Sequence, residues 1–332
     1  MYSVKLASVS KVCYLHVGLH KTASSSFQVT CAKNKDLLQK FGLTYPLFSC
    51  EAAKKFRLAN HSYPMKSLYL ENPADFSHNQ RWGVANKIDE VNSSYESQFG
   101  HCLASSDNLI ISGEEISKLK EQEISRLIEK IQAYDYRLEV IALVRSPYSA
   151  ICSSIQQVIK GGRYIELLSL NDRIPSSDSV VRFSRLIARF SKIKILKNLR
   201  SVFGDSLKLH SFDDACANPY GPVGFLLEEF LGQDPSAFEY VRSNESMSNL
   251  SVRIANEFNK LNPAFIDGKY NDKFQGFPMS VDKQFEFSGK FFLTELEYST
   301  IKAQVDREVE ELDTKFGLDF SGSQLRFVPP IF

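Results

Sequence analysis

The chain has little that would point to a membrane, a metal or a polyanion. No window approaches eighteen continuous apolar residues, so no transmembrane anchor is expected. The six cysteines, Cys13, Cys31, Cys50, Cys102, Cys152 and Cys216, are scattered without a CxxC pair, which speaks against a zinc site or a disulfide framework and suits reduced thiols packed as small hydrophobes in the core. There is no Lys/Arg-rich tract and the formal net charge is only +1, so no broad basic field awaits nucleic acid and phosphate affinity has to come from local sites. No repeat or low-complexity linker divides the sequence.

What is present is a globular composition: 332 residues, 43% hydrophobic and 24% charged, with room for a substantial core. Strand-like runs at residues 12–17, 43–45, 109–112, 138–144 and 207–210 alternate with segments of helical period. That alternation predicts an α/β fold with a parallel sheet flanked by helices on both faces. The first helix is expected to carry Phe27, Cys31, Leu38 and Phe41 on one stripe and to end at Gly42. Residues 47–100, rich in Tyr63, Tyr69, Phe76, Trp82, Tyr95 and Phe99, read as an insertion over the active site, suited to stacking on a flat acceptor or simply to packing. Residues 243–332 read as a helical, loop-rich C-terminal part with helices at 252–261 and 293–316. The expectation is a single domain over 1–332.

The most informative stretch is VCYLHVGLHKTASSSFQ, residues 12–28, which reads as a buried strand, a glycine turn and a helix start loaded with anion ligands. A helix N-terminus has four unpaired backbone N–H groups and about half a positive charge, so it attracts anions before any side chain helps. Lys21 adds a point charge, Gly18 lets the chain turn, and Thr22, Ser24, Ser25 and Ser26 supply hydroxyls. Ordinary capping would need one hydroxyl, not four and a lysine. The lysine here precedes an alanine and three serines, unlike the GxxxxGK[ST] order of a Walker loop, so no Mg²⁺-dependent nucleotide triphosphatase is implied.

A second anion signal lies in LEVIALVRSPYSAICSSIQQVIKG, residues 138–161. An apolar run ends at Arg145, and Ser146 and Pro147 open a helix whose Tyr148, Ile151, Ile155, Val158 and Ile159 share a core face. Ser153 lies off that stripe. A strand-end arginine and a hydroxyl eight residues on can grip one phosphate from two sides; a surface ion pair beside an incidental serine is the plain alternative.

Together the two elements resemble the sulfotransferase superfamily, and GLHKT followed by GLTYP, SSIQQVIKGG, ANPYGPVGFLLEEFLG and SNESMSNLSVRIANEFNKLN are similar to its bacterial and carbohydrate-type branch, over most of residues 12–262. The resemblance implies a P-loop-like fold that uses 3′-phosphoadenosine 5′-phosphosulfate (PAPS) as sulfuryl donor, releases 3′-phosphoadenosine 5′-phosphate (PAP) and needs no metal. By the family pattern Lys21, Thr22, Ala23, Ser24, Ser25 and Ser26 bind the 5′-phosphosulfate, Lys21 contacts the leaving group, and Arg145 and Ser153 bind the 3′-phosphate. Ala23 stands where the family has glycine and is expected to sit unstrained in the first helical turn.

The acceptor must also lose a proton. Glu114, after the strand NLIIS, lies where an α/β sheet opens its crevice, and ISGEEIS resembles a segment of the same branch; a glutamate there can equally cap the next helix. Glu115 is the adjacent alternative. His20 could reach the donor, and His61 and His78 could serve if the insertion folds over it. His16, alternating within a strand, reads as a core residue. The expected catalytic set is thus Lys21, Glu114 and His20, in a cytoplasmic enzyme that sulfates a hydroxyl or amino group of a carbohydrate or small natural product, without nucleic-acid or membrane partners. The alternatives are a P-loop kinase and a catalytically inactive nucleotide-binding scaffold.

Overall fold

The computed structural model describes residues 11–168, 170, 175–243, 246–266, 269–278, 281 and 283–329. They run in the order β1 (Lys11–His16), α1 (Ser24–Lys33), α2 (Lys35–Lys40), β2 (Leu43–Thr44), β3 (Phe48–Cys50), β4 (Lys55–Leu58), α3 (Ser62–Tyr69), α4 (Ser77–Arg81), α5 (Ile88–Ser105), β5 (Asn108–Ser112), α6 (Glu121–Gln132) and β6 (Tyr136–Val144). There follow α7 (Pro147–Lys160), α8 (Ser177–Ala188), α9 (Ile193–Phe203), β7 (Leu207–Ser211), α10 (Phe212–Ala215), α11 (Gly221–Leu231), α12 (Asn249–Leu261), β8 (Phe265–Ile266) and β9 (Lys269–Tyr270), then helices Glu295–Ser299 and Lys302–Phe316. The chain forms two compact units, Met1–Val144 with Lys194–Ser243, and Arg145–Ile193 with Asn244–Phe332.

The first unit is built on a five-stranded sheet of order β2-β5-β1-β6-β7, in which every pairing is parallel. Period-two side chains explain why both faces are covered. Cys13 and Leu15 of β1, Leu109 and Ile111 of β5, and Val140 and Ala142 of β6 join one cluster with Tyr95 and Phe99 of α5, Leu127 of α6 and Leu199 of α9. Ile110, Ile141 and Leu143 join the opposite cluster with Phe27 and Cys31 of α1 and Leu226 and Phe230 of α11. The expected α/β architecture is therefore present, and β1 lies at its centre.

Three expectations need correction. The first helix is two, because Asn34 interrupts it: its side chain donates to the Thr30 carbonyl (2.8 Å) and the Glu239 carbonyl (2.9 Å) and accepts from the Glu239 amide (3.0 Å), competing with the helical ladder. Phe41 is correspondingly exposed. Second, residues 47–100 are integral to the fold, since Phe48, Met65, Tyr69, Tyr95 and Phe99 are buried in the core over the sheet; Phe76 is buried too, while Tyr63 and Trp82 stay half-buried. Third, the helix expected over 293–316 is broken after Ser299 and resumes at Lys302. Cys216 is exposed and so is not a core residue.

The second unit packs α7 and α12 around Ile151, Ile155, Phe183, Val252, Phe291 and Leu293. The polar residues of the IANEFN stretch are structural. Asn256 exchanges two hydrogen bonds with the Ile165 backbone, and Asn259 donates to the Ile159 and Arg163 carbonyls, so α12 clamps the chain leaving α7. Arg253 makes a buried, two-pronged pair with Glu297 (2.7 and 3.0 Å).

Candidate active site

The carboxyl end of β1 and the start of α1 form the site. After His16 the chain follows the sheet one residue further, the Val17 amide donating to the Ile141 carbonyl, and then turns at Gly18 with φ of +36°. A methyl group at Gly18 would lie 2.6 Å from Ser24 Oγ, with the His16 ring and the Glu114 backbone close behind, so a side chain there would fill the space the loop encloses. The loop is tied internally by Thr22, whose hydroxyl donates to the Leu19 carbonyl (2.5 Å).

Two residues that are not glycine take left-handed backbone here: Lys21 (φ +74°) and Ala23 (φ +63°), with Thr22 between them not. Alternation of this kind curls successive backbone N–H groups inward into an anion-binding concavity. It also corrects the expectation for Ala23, which is the residue before α1 and not part of its first turn. That is where glycine fits without strain.

Helix α1 then starts with no side-chain cap and no acidic residue in its first turn. Its terminal amides and the positive end of its dipole face the loop unneutralised by any carboxylate of that turn. Ser24 Oγ is buried and has no hydrogen-bond partner among the described residues. Ser26 is held by Ser243, whose backbone amide donates to its hydroxyl at 3.0 Å. Thr22 and Ser26 thus shape the loop, while Ser24 and half-buried Ser25 are the hydroxyls that can turn toward a ligand; Lys21 is half-buried beside them.

The carboxyl end of β5 supplies the other wall. Ser112 is pinned from three directions: its hydroxyl pairs with His16 Nδ1 (2.8 Å), its amide donates to His61 Nδ1 (2.9 Å), and Gln28 of α1 donates to its carbonyl (3.2 Å). His61 is wholly buried and donates from Nε2 to the Pro46 carbonyl (2.7 Å), so both its nitrogens are used and it is not a base. Burial pushes His61 down to about 4 despite that carbonyl, and does the same to His16. His78 packs among Tyr63, Phe76 and Trp82, and burial and the Arg81 charge lower its proton affinity.

Beyond Ser112, a short 3₁₀ turn, Glu114–Lys118, carries both candidate carboxylates. Glu114 Oε1 lies 3.7 Å from His20 Nδ1, and Glu115 Oε1 lies 3.0 Å from His20 Nε2, close but off the alignment of a full hydrogen bond. Glu115 also meets Lys66 Nζ (2.5 Å) and Lys118 Nζ (2.7 Å). Burial alone would raise the Glu115 carboxyl, but His20, Lys118 and Lys66 hold it well below the usual carboxylate range. Held as an anion by two lysines, it is a poorer proton acceptor than an unpaired carboxylate. Lys66 and Lys118 had no local motif to reveal them.

The structure thus brings Lys21, Thr22, Ala23, Ser24, Ser25, Ser26, His20 and Glu114 into one cradle. Arg145 and Ser153 belong to the second unit. There Arg145 Nε donates to Ser149 Oγ (2.7 Å), and Ser149 and half-buried Ser153, four residues apart, share a face of α7. Among the described residues no group of three or more His, Cys, Asp or Glu is arranged to hold a metal ion.

No protein-family model matches the chain, and no curated protein matches it in sequence. Among solved structures it is similar to a sulfotransferase from Alicyclobacillus acidocaldarius at 12% identity, with a TM-score of 0.45, over 95% of this chain and 99% of that one. So distant a likeness settles neither family nor activity, and the geometry of the cradle has to carry the function.

Two measurements check this geometry. Ala23→Gly relieves left-handed strain of roughly 1–2 kcal/mol at the cost of a more flexible unfolded chain, so a net gain of up to about 1 kcal/mol is expected in urea unfolding, whereas Ala32→Gly inside α1 should lose about that much. Equal losses at both positions would contradict the left-handed assignment. His16 and His61 bind protons near 6.5 when unfolded but only near 4 when folded. Their contribution to stability is complete above about pH 6.5 and drains away as the pH falls toward 4, by about 3 kcal/mol each. His61→Gln should remove one of the protons taken up on unfolding in that window; an unchanged proton uptake would refute neutral burial of His61.

Proposed function

We propose that this protein is a PAPS-dependent sulfotransferase acting on a hydroxyl or amino group of a carbohydrate or small natural product. The observation that carries the reading is the uncapped start of α1, where left-handed Lys21 and Ala23 turn amides inward beside the buried, unpartnered Ser24 hydroxyl. Among the described residues the Ser24 hydroxyl is a donor without an acceptor and the start of α1 has no side-chain cap, while a phosphosulfate offers acceptors without donors. The order Lys-Thr-Ala-Ser-Ser-Ser matches the motif whose resemblance first suggested this donor.

When bound, the donor supplies a sulfuryl group activated by its link to a 5′-phosphate. The amides of the α1 terminus and the Ser24 and Ser25 hydroxyls hold the oxygens around that link. Lys21 places a cation where charge accumulates as the link breaks, and such a contact stabilises the transition state more than the ground state. Glu114, beside His20, is the group available to take the acceptor's proton, since Glu115 is engaged and His61 is internal. Arg145 and Ser153 keep the role the resemblance gives them, a grip on the 3′-phosphate. Cytoplasm, where such a donor is made, is the compartment this reading implies; no helix among the described residues is long and apolar enough to cross a membrane.

Calorimetry with PAPS and PAP tests donor binding directly. Lys21→Ala, checked for folding by circular dichroism, should lower PAP release in an acceptor screen about 10²- to 10³-fold. Normal turnover in a folded Lys21→Ala protein, or no heat with either nucleotide in the wild type, overturns the proposal. Transfer should persist in EDTA, whereas a magnesium requirement would favour a kinase. Arg145→Ala should weaken PAP binding by about 2–4 kcal/mol if the contact is desolvated, and leave adenosine 5′-phosphosulfate unaffected. Equal weakening of both ligands would count against a 3′-phosphate contact.

A further inference from the structure

Glu114 and Glu115 are neighbours in sequence, yet they present themselves very differently. The Glu115 side chain is 12% exposed and meets three groups within 3.0 Å, whereas Glu114 is 22% exposed and lies 3.7 Å from His20. His20 therefore stands between two carboxylates, each facing a different ring nitrogen. We propose that Glu115 is a positioning residue: it holds the His20 ring with its Nε2–H toward Glu115 and its Nδ1 toward Glu114, so that Glu114 and His20 together receive the acceptor's proton.

Glu115 is fastened on every side. Its backbone amide donates to Ser62 Oγ at the start of α3 (3.1 Å), Lys66 of the same helix takes Oε2, and Lys118 of its own turn takes Oε1. Lys66 is itself seated over the Phe76 ring, 5.0 Å from its centre. The ionisable groups that face Glu115 are thus His20 from the loop, Lys66 and Tyr63 from α3, His78 from α4, and Lys118 and Glu114 from its own turn. Two lysines against one carboxylate keep it anionic, and a fixed anion beside one imidazole nitrogen places the ring proton there. The other nitrogen is then left facing Glu114. Alignments of this kind are commonly loose before ligands bind and tighten afterwards.

This assignment rests on the sulfuryl-transfer reading. A lone pair on the acceptor's oxygen or nitrogen forms the new bond to sulfur, the pair of its O–H or N–H bond stays on that atom as the proton leaves, and the bond from sulfur to the 5′-phosphate oxygen breaks with its pair retained by the phosphate. The proton released passes to the Glu114–His20 pair and from there to solvent, to which both side chains are partly open. Glu115 exchanges no proton.

The test begins without substrate. Long-range ¹H–¹⁵N spectra of the imidazoles, with His20 assigned from His20→Asn, should show the Nε2–H form dominant in the wild type and a mixture of tautomers in Glu115→Gln. Because the amide of that variant leaves two lysines without their anion and could compromise folding, Glu115→Asp is measured alongside. It retains the charge but withdraws the carboxylate from His20, and should give the same mixture in a stable protein. An unchanged tautomer in a folded Glu115→Asp protein overturns the proposal. With an acceptor in hand, Glu115→Asp should lower kcat at least about 10-fold, out of the 10² to 10⁴ that a positioned base contributes, with PAP affinity unchanged and no further loss on adding His20→Asn. Fully additive losses would refute action through His20. A tautomer shift in a protein that transfers no sulfate would sink the functional reading and leave the positioning role standing.

Discussion

The backbone must pass from a strand buried on both faces into a helix between His16 and Ser24, and the site follows from how that reversal is made. A parallel strand at the centre of a sheet cannot turn outward early, because β6 pairs with it along its whole length and β5 from Cys13 to its end at His16. The chain therefore folds back over the ends of those strands, with Gly18 pressed against the first turn of α1 and the backbone of Glu114. That close approach aims the amides at the loop's interior and brings β5's terminal carboxylates beside the loop. Lys21, the loop hydroxyls and Glu114 are neighbours in one cradle because one turn is tight.

Tight turns need rigid walls, and here the walls are polar and buried. Ser112 meets His16, His61 and Gln28, which arrive from β1, from the approach to α3 and from α1 respectively. Each bond is modest alone, but leaving any buried member unpaired is costly, so the network behaves as a single joint. Burial keeps its imidazoles neutral. The two buried histidines, His16 and His61, serve as struts, while half-buried His20 borders the loop.

How much of this could be read from the sequence differs by element. The inner strands were legible where burial on both faces produces an apolar run, as at 109–111 and 140–144, and the cradle was legible because glycine, lysine and hydroxyls crowd into a few consecutive residues. The break at Asn34 was hidden because its partner, Glu239, lies 205 residues away. His61 looked like a base because nothing local shows that the Pro46 carbonyl and the Ser112 amide occupy its nitrogens. Likewise the pair Glu114–Glu115 gave no sign of which carboxylate was engaged, since that depends on Lys66 arriving from α3. Ala23 was misplaced for a different reason: alanine signals helix by propensity, and only the path of the loop reveals that tertiary constraint overrides it.

The strain at Lys21 and Ala23 and the proposed affinity for an anion would have one origin. Left-handed backbone at a residue with a β-carbon costs roughly 1–2 kcal/mol, and it persists only where surrounding contacts over-determine the loop. The Thr22–Leu19 bond, the hold of Ser243 on Ser26 and the packing of Gly18 do so here. Torsions of this kind turn successive N–H dipoles inward, and like ends so arranged repel until something negative is placed among them. An anion in the cradle would thus relieve electrostatic repulsion in the loop as well as gain hydrogen bonds, and binding would stabilise the fold by mass action where the native state is most strained. Glycine at position 23 would lower the strain without removing the convergence, so affinity depends on the direction of the amides and the alanine's methyl group is a cost to folding rather than to recognition.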